Sequence, residues 1–328
     1  MVVEPPAFVK SENSITTGDN KSADQWSTIQ PMTNGLSSSA GLGHVRAVVT
    51  GAAGGIGRAL VAGLLASGAR VLAVDMTGQG LDALRESLPA GGRDRFSAFC
   101  CDLAAEGAAQ RVVDASHAAL GEANALVCNA GVGRLLYSQD WLDRPPPAWE
   151  VPAQAWEKMF HINAISPILL ANAFVPILRR QPWGRVVAVT TSLDSMLNAG
   201  TGPYGPSKAG LEAYMAVIGA ELEGSPVSVN VLVPGGAVDT AMIPDMPGLP
   251  RSSLLQPEVM VPPLRWLLSA AANGFSQRRI RANLWDFALT PEEACAAAAA
   301  PIAWWSVAAG QRRALVRSED ASPAPSRP

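Results

Sequence analysis

Residues 47–60 read AVVTGAAGGIGRAL, and this stretch decides the fold of the chain. An apolar, β-branched run stops at a cluster of glycines, and a helix-like pattern begins directly after it. The order of strand, tight loop and helix is typical of a phosphate-binding turn, because glycine lets the backbone approach a pyrophosphate without a Cβ in the way. The spacing is not the common G-x-G-x-x-G. We predict that a dinucleotide binds at Gly51, Gly55, Ile56 and Gly57.

From Arg46 onward, short apolar runs alternate with amphipathic segments. Strands that are covered on both faces read as continuous Val, Ala and Leu runs, and crossover helices force parallel pairing. The pattern therefore predicts an α/β fold: a doubly wound parallel sheet (Rossmann fold) in three α/β/α layers, with its ligand crevice at the carboxyl ends of the strands. Strands are predicted at 47–50, 70–75, 96–101, 125–129, 185–190, 227–233 and 279–283, and helices at 56–67, 81–88, 106–120, 154–174, 204–221 and 258–270.

Both ends of the chain differ in composition from the part between them. Residues 1–43 are rich in Ser, Thr, Asn, Gly and Pro without apolar periodicity, which predicts a disordered or loosely docked extension. Residues 44–286 form the predicted Rossmann-type domain. Residues 287–328 are predicted to be a C-terminal extension, in which the Ala-rich stretch 295–309 forms a docked helix before a polar tail.

The overall composition excludes several classes of partner. The net charge of -3 and a pI near 5.7 give no electrostatic reason to expect nucleic acid or an anionic membrane. Three scattered histidines and four cysteines without CxxC spacing predict no metal site. The first residues lack a basic segment followed by an apolar core, and the Ala-rich run is shorter than a membrane span of about 20 residues. We therefore expect a cytoplasmic protein.

Polar residues at successive strand ends extend the predicted cofactor site. Asp75 ends the second strand, 18 residues after Gly57, where a carboxylate accepts hydrogen bonds from the adenosine ribose. A carboxylate there repels a 2′-phosphate, and Ala53 stands where a basic residue would receive that phosphate, so NAD is favoured over NADP. Small or polar residues that end the third and fourth strands are further predicted to contact the cofactor: Asp102, Leu103, Asn129, Ala130 and Gly131.

Tyr204 and Lys208 stand four residues apart at the start of the helix after the fifth strand. This spacing places both side chains on one helical face, one turn from each other. A tyrosine must have its pKa of about 10 lowered to exchange protons near neutral pH, and a neighbouring ammonium group lowers it. Pro206 is tolerated here because it falls in the first turn. The pair is a candidate for acid–base catalysis.

Taken together, the motifs resemble the single-domain branch of the short-chain dehydrogenase/reductase family over about residues 46–286. The resemblance rests on Thr50-Gly51-x-x-x-Gly55-x-Gly57, Asp102, Asn129-Ala130-Gly131, Asn163, Tyr204-x-x-x-Lys208, Pro234-Gly235 and Thr240. It implies an NAD(P)-dependent enzyme that transfers hydride between nicotinamide and a carbinol carbon. By this resemblance Tyr204 is the general acid/base, and Lys208 lowers its pKa and binds the nicotinamide ribose.

The resemblance assigns further roles and shows one departure from the family pattern. It implies that Asn163 holds a water in the proton relay, and that Pro234, Gly235, Val238 and Thr240 line the nicotinamide site. The family usually has a serine thirteen residues before the tyrosine, and this position is Thr191, with Ser192 beside it. Threonine keeps the hydroxyl but stiffens χ1. We favour Thr191 as the catalytic hydroxyl, with Ser192 as the alternative.

Two apolar segments, 132–152 and 241–256, are predicted to wall the substrate crevice. Apolar walls predict a hydrophobic secondary alcohol or ketone as the small-molecule substrate. The alternative is that these residues form a subunit interface or pack within the domain. One alternative is a 3-oxoacyl-carrier-protein reductase that uses NADPH; another is a non-catalytic dinucleotide-binding sensor. Family members commonly form dimers or tetramers, and the apolar content of 165–178 and 211–222 favours a homodimer or homotetramer here.

Overall fold

The computed structural model describes residues 41–245 and 249–304, and its strands form one eight-stranded sheet. The strands are β1 (Arg46–Thr50), β2 (Arg70–Asp75), β3 (Phe96–Cys100), β4 (Ala125–Cys128), β5 (Gly184–Val189), β6 (Val227–Val233), β7 (Arg278–Arg281) and β8 (Ala299–Pro301). The order across the sheet is β3-β2-β1-β4-β5-β6-β7-β8, with parallel pairing from β3 to β7 and an antiparallel β8. This topology confirms the predicted doubly wound α/β fold.

Helices cover both faces of the sheet, as the long apolar strands require. The α-helices are α1 (Gly55–Ala66), α2 (Gly78–Ser87), α3 (Ala90–Arg93), α4 (Ala108–Leu120), α5 (Ala153–Phe160), α6 (Ser166–Leu178), α7 (Leu193–Leu197), α8 (Tyr204–Glu221), α9 (Val261–Leu267) and α10 (Pro291–Ala298). Helices α1 and α9 pack together, whereas α4, α6 and α8 form another packed group. Strands β4, β5 and β6 between these layers are buried along their whole length, which accounts for their mainly apolar sequences.

The predicted helix 154–174 is present, but it is interrupted by a π-helical turn. It runs as α5, then a π-helical turn over His161–Ile165, and then α6. Over the described residues, the continuous helix Ala153–Leu178 is the one segment with the length and hydropathy of a membrane span. Its inner face lies in the core, however, since Leu170, Phe174 and Leu178 are fully buried. The cytoplasmic location stays a prediction.

The predicted helix 258–270 is shorter than expected. Residues Pro257–Met260 form a 3-10 turn, and the α-helix begins only at Val261. Pro262 and Pro263 explain this boundary, because proline lacks an N–H group and fits only the first turn of an α-helix. The helix ends at Leu267, so the chain reaches β7 through a second 3-10 turn at Ala270–Ala272.

The helix predicted for the Ala-rich stretch 295–309 is present only as far as Ala298, and the prediction is wrong for the described residues after it. Helix α10 begins earlier, at a capping box in which the Thr290 side chain and Glu293 satisfy each other's backbone N–H groups. It ends at Ala298, and β8 then pairs with β7. Pro301 cannot continue a helix but is tolerated on an edge strand. Residues 305–309, like most of both predicted extensions, lie outside the described residues, so the domain boundaries stay a prediction.

Candidate active site

The glycine turn between β1 and α1 forms a backbone cradle with no room for side chains. Gly51 adopts a φ of +63°, and a Cβ there would lie 2.7 Å from the Cα of Ala130. A Cβ on Gly57 would lie 2.0 Å from the carbonyl oxygen of Gly51, and one on Gly55 would lie 2.5 Å from the Thr240 methyl group. The turn therefore exposes backbone N–H groups at the start of α1, which suits the phosphates of a dinucleotide.

Asp75 ends β2 beside this turn, and its carboxylate is held by the protein's own donors. The Ala53 N–H donates to Oδ2 at 2.9 Å, and the Thr77 N–H and hydroxyl both donate to Oδ1 at 3.1 Å. A carboxylate has about four acceptor positions, and these bonds use three of them, so Oδ2 keeps one for a ribose hydroxyl. Arg58 lies nearby, with its guanidinium donating to the carbonyl groups of Ala53 at 2.8 Å and Gly80 at 3.1 Å.

The ends of β3 and β4 meet the same cradle. Asn129 donates to the carbonyl oxygens of Thr50 at 2.9 Å and Gly51 at 3.1 Å, and the Thr50 hydroxyl accepts from the N–H groups of Asn129 and Ala130. This reciprocal arrangement fixes the glycine turn against the end of β4. Asp102 is exposed after β3. The carbonyl group of the adjacent Leu103 accepts from Ser166 of α6 at 2.9 Å.

The turn after β6 closes the cradle from the other side. Gly235 has a φ of +86°, and a Cβ there would lie 1.7 Å from the Oδ1 of Asn283, so only glycine fits. Four residues after Pro234, Val238 bridges to Leu255, and the hydroxyl of Thr240 donates to the Val238 carbonyl group at 3.4 Å. The predicted nicotinamide residues therefore lie against the glycine turn, where Thr240 touches Gly55.

Tyr204 and Lys208 lie one turn apart at the start of α8. Burial raises the pKa of Tyr204, while a hydrogen bond with the Thr191 side chain and the positive charge of Arg134 lower it. Lys208 is buried and donates to the carbonyl group of Val189 at 3.0 Å. Burial lowers the pKa of Lys208 to about 8. Arg134 is thus a cation beside the phenol that the motifs did not indicate, and the action of Lys208 on Tyr204 stays a prediction.

The two candidate hydroxyl groups after β5 are placed differently. The Thr191 side chain meets the Tyr204 phenol, and its carbonyl group accepts a hydrogen bond from the Arg279 guanidinium. The hydroxyl of Ser192 instead pairs with that of Ser195 at 2.7 Å within the start of α7. This geometry favours Thr191, and the assignment stays a prediction until both hydroxyl groups are removed in turn.

Asn163 lies in the π-helical turn and is fully buried. Its Oδ1 accepts from the Val132 N–H at 2.8 Å, and its Nδ2 donates to the Val132 carbonyl group at 3.0 Å and to the Ser207 hydroxyl at 3.1 Å. A Cβ on Gly131 would lie 3.2 Å from both the Asn163 Oδ1 and the Lys208 Nζ. The side chain therefore joins the end of β4 to α8.

The two predicted walls of the substrate crevice contact each other. A Cβ on Gly133 would lie 2.5 Å from the Met242 side chain, so the segments 132–152 and 241–256 meet there. Arg251 holds the second wall in place through Asp245 at 2.8 Å and Asp239 at 3.1 Å. Met246, which belongs to the same predicted wall, lies outside the described residues.

The sequence motifs did not place Arg134 in the candidate active site. Arg134 begins a 3-10 turn, Arg134–Leu136, three residues after Gly131. Its guanidinium donates to the Gly200 carbonyl group at 3.3 Å and lies over the Trp141 ring at 3.4 Å from the centroid. A single arginine after a small-residue turn carries no recognisable pattern, so only the fold shows its proximity to Tyr204.

Fold and site together define a dinucleotide-dependent oxidoreductase. The glycine cradle fits the cofactor, and the Tyr204–Lys208 pair lies at the carboxyl edge of the same parallel sheet. The family model described as short chain dehydrogenase matches residues 45–247. The chain belongs to this family, which confirms the resemblance drawn from the motifs, and it is an NAD(P)-dependent enzyme that acts on CH–OH groups.

Relatives with assigned activities show the range of substrates in this part of the family. The chain is 38% identical over 197 residues to 1-deoxy-11-beta-hydroxypentalenate dehydrogenase of Streptomyces avermitilis, covering 60% of this chain and 69% of the relative. It is 34% identical to D-threitol dehydrogenase of Mycolicibacterium smegmatis, covering 57% and 68%. A Beutenbergia cavernae structure, assigned as an NAD(P)-dependent gluconate 5-dehydrogenase with NADP at low occupancy, matches with a TM-score of 0.60 at 29% identity, covering 70% and 91%.

Proposed function

We propose that this protein is an NAD-dependent oxidoreductase that interconverts a hydrophobic secondary alcohol and its ketone. The observation that carries the proposal is the position of the Thr191 side chain beside the Tyr204 phenol, whose pKa it lowers, near the glycine cradle. The bound dinucleotide would supply the hydride chemistry. Tyr204 would exchange a proton with the substrate oxygen, which the Thr191 hydroxyl holds in place by hydrogen bonding.

The remaining site residues support that proton exchange. Arg134 and the Thr191 hydroxyl favour the phenolate form of Tyr204, since both lower its pKa against the effect of burial. The Lys208 ammonium, held by the Val189 carbonyl group, faces Gly131 at the cofactor side. The π-helical turn at Asn163 takes backbone groups out of the regular α-helical ladder, and such a carbonyl group would hold the relay water.

Asp75 supports NAD as the cofactor. Its two oxygens are fixed by Ala53 and Thr77, and Oδ2 keeps acceptor capacity for a ribose hydroxyl group. A 2′-phosphate would approach this carboxylate as a like charge, which costs several kcal/mol in a contact region. Arg58, which lies beside Ala53, already donates to two backbone carbonyl groups. We therefore expect the Arg58 guanidinium not to offset the repulsion between the Asp75 carboxylate and a 2′-phosphate.

A titration with both reduced dinucleotides tests the cofactor assignment. We expect NADH to bind the wild type at least about tenfold more tightly than NADPH, equivalent to about 1.4 kcal/mol. The Asp75→Ala variant should reduce this preference to within threefold. Asp102→Ala is the matched control, because its loss should weaken both dinucleotides alike. Tighter NADPH binding by the wild type would overturn the assignment and favour the acyl-carrier-protein reductase.

The apolar walls support a hydrophobic substrate. Leu135 and Leu136 on one wall and Met242 and Leu254 on the other are partly or fully enclosed. Turnover of cyclohexanol and decalin-2-ol should therefore exceed that of D-threitol, the substrate named for one relative. Faster turnover of D-threitol would contradict the apolar assignment. Bound NADH without turnover of any of these alcohols would instead indicate the non-catalytic sensor.

The basic residues near the crevice do not favour an acidic carrier protein as partner. Arg251 is occupied by Asp239 and Asp245, and Arg134 lies half-buried over Trp141. Neither guanidinium forms part of an open basic surface that would attract an acidic domain. The acyl-carrier-protein reductase therefore remains the second candidate, to be decided by the cofactor titration.

We also propose that two or four copies of the chain associate through α6 and α8. Three apolar side chains on these helices and the preceding turn are exposed: Ile165 by 43%, Leu169 by 48% and Val217 by 55%. Large aliphatic side chains grouped on a helix layer favour burial against another subunit. Light scattering of the purified protein should give the mass of a dimer or tetramer, and the mass of one chain would refute the association.

A further inference from the structure

Arg134 is fixed between the substrate wall and the loop that leads to Tyr204. Its guanidinium donates to the carbonyl group of Gly200, four residues before Tyr204, at 3.3 Å. One face of the guanidinium lies on the Trp141 ring, 3.4 Å from its centroid. The adjoining Tyr137 donates its hydroxyl to the Gly202 carbonyl group at 2.9 Å. These contacts hold the guanidinium in one orientation beside the catalytic phenol.

This half-buried cation lacks an anionic partner within the part of the chain that the structure describes. The ion pairs found there join Arg144, Arg251 and Arg279 to carboxylates, and none includes Arg134. Burial lowers the pKa of Arg134, and the groups that oppose this effect are the phenols of Tyr137 and Tyr204, which are uncharged near pH 7. A half-buried cation without an anion is partly desolvated, so an anion that enters the site stabilises it.

We infer that Arg134 binds a carboxylate carried by the apolar alcohol or ketone substrate. The inference rests on the proposed function and specifies its substrate class. The Trp141 ring covers one face of the guanidinium and the Gly200 carbonyl group accepts from Nη1, while the described residues offer no acceptor to Nε and Nη2, which are left for a planar anion. A guanidinium edge matches a carboxylate through two parallel hydrogen bonds, whereas the surrounding walls accept the apolar skeleton.

The substrate is therefore a hydroxy or keto acid in which an apolar skeleton separates the reacting oxygen from the carboxylate. The carbinol oxygen would lie at Tyr204 and Thr191, and the carboxylate at Arg134. This arrangement also gives orientation, because two polar anchors fix an otherwise featureless hydrocarbon against both walls. A neutral alcohol of the same shape would bind with only one anchor.

Binding of a matched pair of rigid, unreactive ligands tests this inference without requiring turnover. Adamantane-1-carboxylate and adamantane-1-carboxamide have the same skeleton but differ in charge. Each is titrated by calorimetry into the full chain saturated with NAD, at pH 7. We expect the carboxylate to bind at least tenfold more tightly than the carboxamide, and Trp141 fluorescence to change on binding.

Three variants locate the charge. Arg134→Met should reduce the preference for the carboxylate to within twofold, whereas Arg134→Lys, which keeps the charge but loses the fork, should retain part of it. Arg180→Met is the matched control: this exposed arginine follows α6, whose end lies at the opposite edge of the sheet, and its loss should leave the preference unchanged. Because the first comparison uses the wild type, the inference stays testable even where a variant fails to fold.

Several results would overturn the inference. Equal binding of both ligands by the wild type would show that the crevice does not select an anion. A preference that persists in Arg134→Met would place the anion elsewhere, and equal loss of both ligands would assign Arg134 a packing role. Failure of the proposed function would give a different result: the protein would still prefer the carboxylate to the carboxamide but would not turn over alcohols with NAD.

Discussion

Replacement of Lys208 by methionine should make the protein more stable and less active at the same time. Lys208 is 4% exposed, and its ammonium donates one hydrogen bond, to the Val189 carbonyl group at 3.0 Å. Burial lowers its pKa from 10.5 to about 8. The folded state therefore binds this proton less tightly than the unfolded chain does. The buried ammonium group therefore lowers the free energy of unfolding, and a residue that destabilises the fold in this way is retained for activity.

The size of the change in the free energy of unfolding follows from the difference between the pKa of Lys208 in the folded protein and in the unfolded chain. Between pH 8 and 10.5 the unfolded chain keeps the Lys208 proton while the folded protein releases it, so stability rises with pH across this window. Below pH 8 the full cost applies, about 3 kcal/mol. Methionine removes the cost but leaves the Val189 carbonyl group without its donor, a loss of about 1 kcal/mol. The Lys208→Met variant should therefore be about 2 kcal/mol more stable at pH 7.

Urea unfolding of the protein freed of dinucleotide measures this difference. The gain in free energy of unfolding should be largest at pH 7 and fall to zero or below by pH 10.5, while turnover drops at least about 100-fold. Lys158→Met is the matched control, because Lys158 is exposed and its replacement should add no pH dependence. A Lys208→Met variant that is less stable than the wild type at pH 7 would refute the reasoning.

Two further predictions concern the residues around Thr191. Thr191→Val should lower kcat about 100-fold because it removes the hydroxyl that meets Tyr204, whereas Ser192→Ala should change kcat less than threefold; the reverse order would make Ser192 the catalytic hydroxyl. Glu212→Gln should lower the free energy of unfolding by about 3 kcal/mol because it leaves the buried Arg279 without its anion. Asp245→Asn, in an exposed ion pair, should leave the urea midpoint unchanged; similar midpoints for both variants would contradict the assignment.

The buried pair behind Thr191 shows how the structure supports the candidate site from a distance. Arg279 of β7 lies 3.5 Å from Glu212 of α8 and donates to the Thr191 carbonyl group. Glu212 also accepts from the Thr190 hydroxyl at 2.8 Å and from the Ala303 N–H at 3.0 Å. The chain after β8 is thus joined to the end of β5, next to the hydroxyl proposed to hold the substrate oxygen.

The sequence by itself determined the family, the fold class and most of the cofactor cradle. Each of these depends on residues close together in the chain: apolar runs of strand length, glycines that end at Gly57, and Tyr204 four positions before Lys208. Local spacing fixes which side of a strand or helix such residues share, and parallel strands bring their carboxyl ends to one edge. The family and fold predictions are therefore confirmed, while the individual site roles stay predictions.

Only the tertiary structure decided which charges act on the catalytic groups. Arg134 and Gly200 are 66 positions apart, and Arg279 and Thr191 are 88 apart. No periodic pattern relates residues at such distances, because their contacts depend on how the loops of several strands fold over one sheet edge. The β8 strand was missed for the same reason: its three residues are extended only because β7 offers an open edge for pairing. Local sequence thus specifies the elements, whereas packing specifies the electrostatic environment of the site.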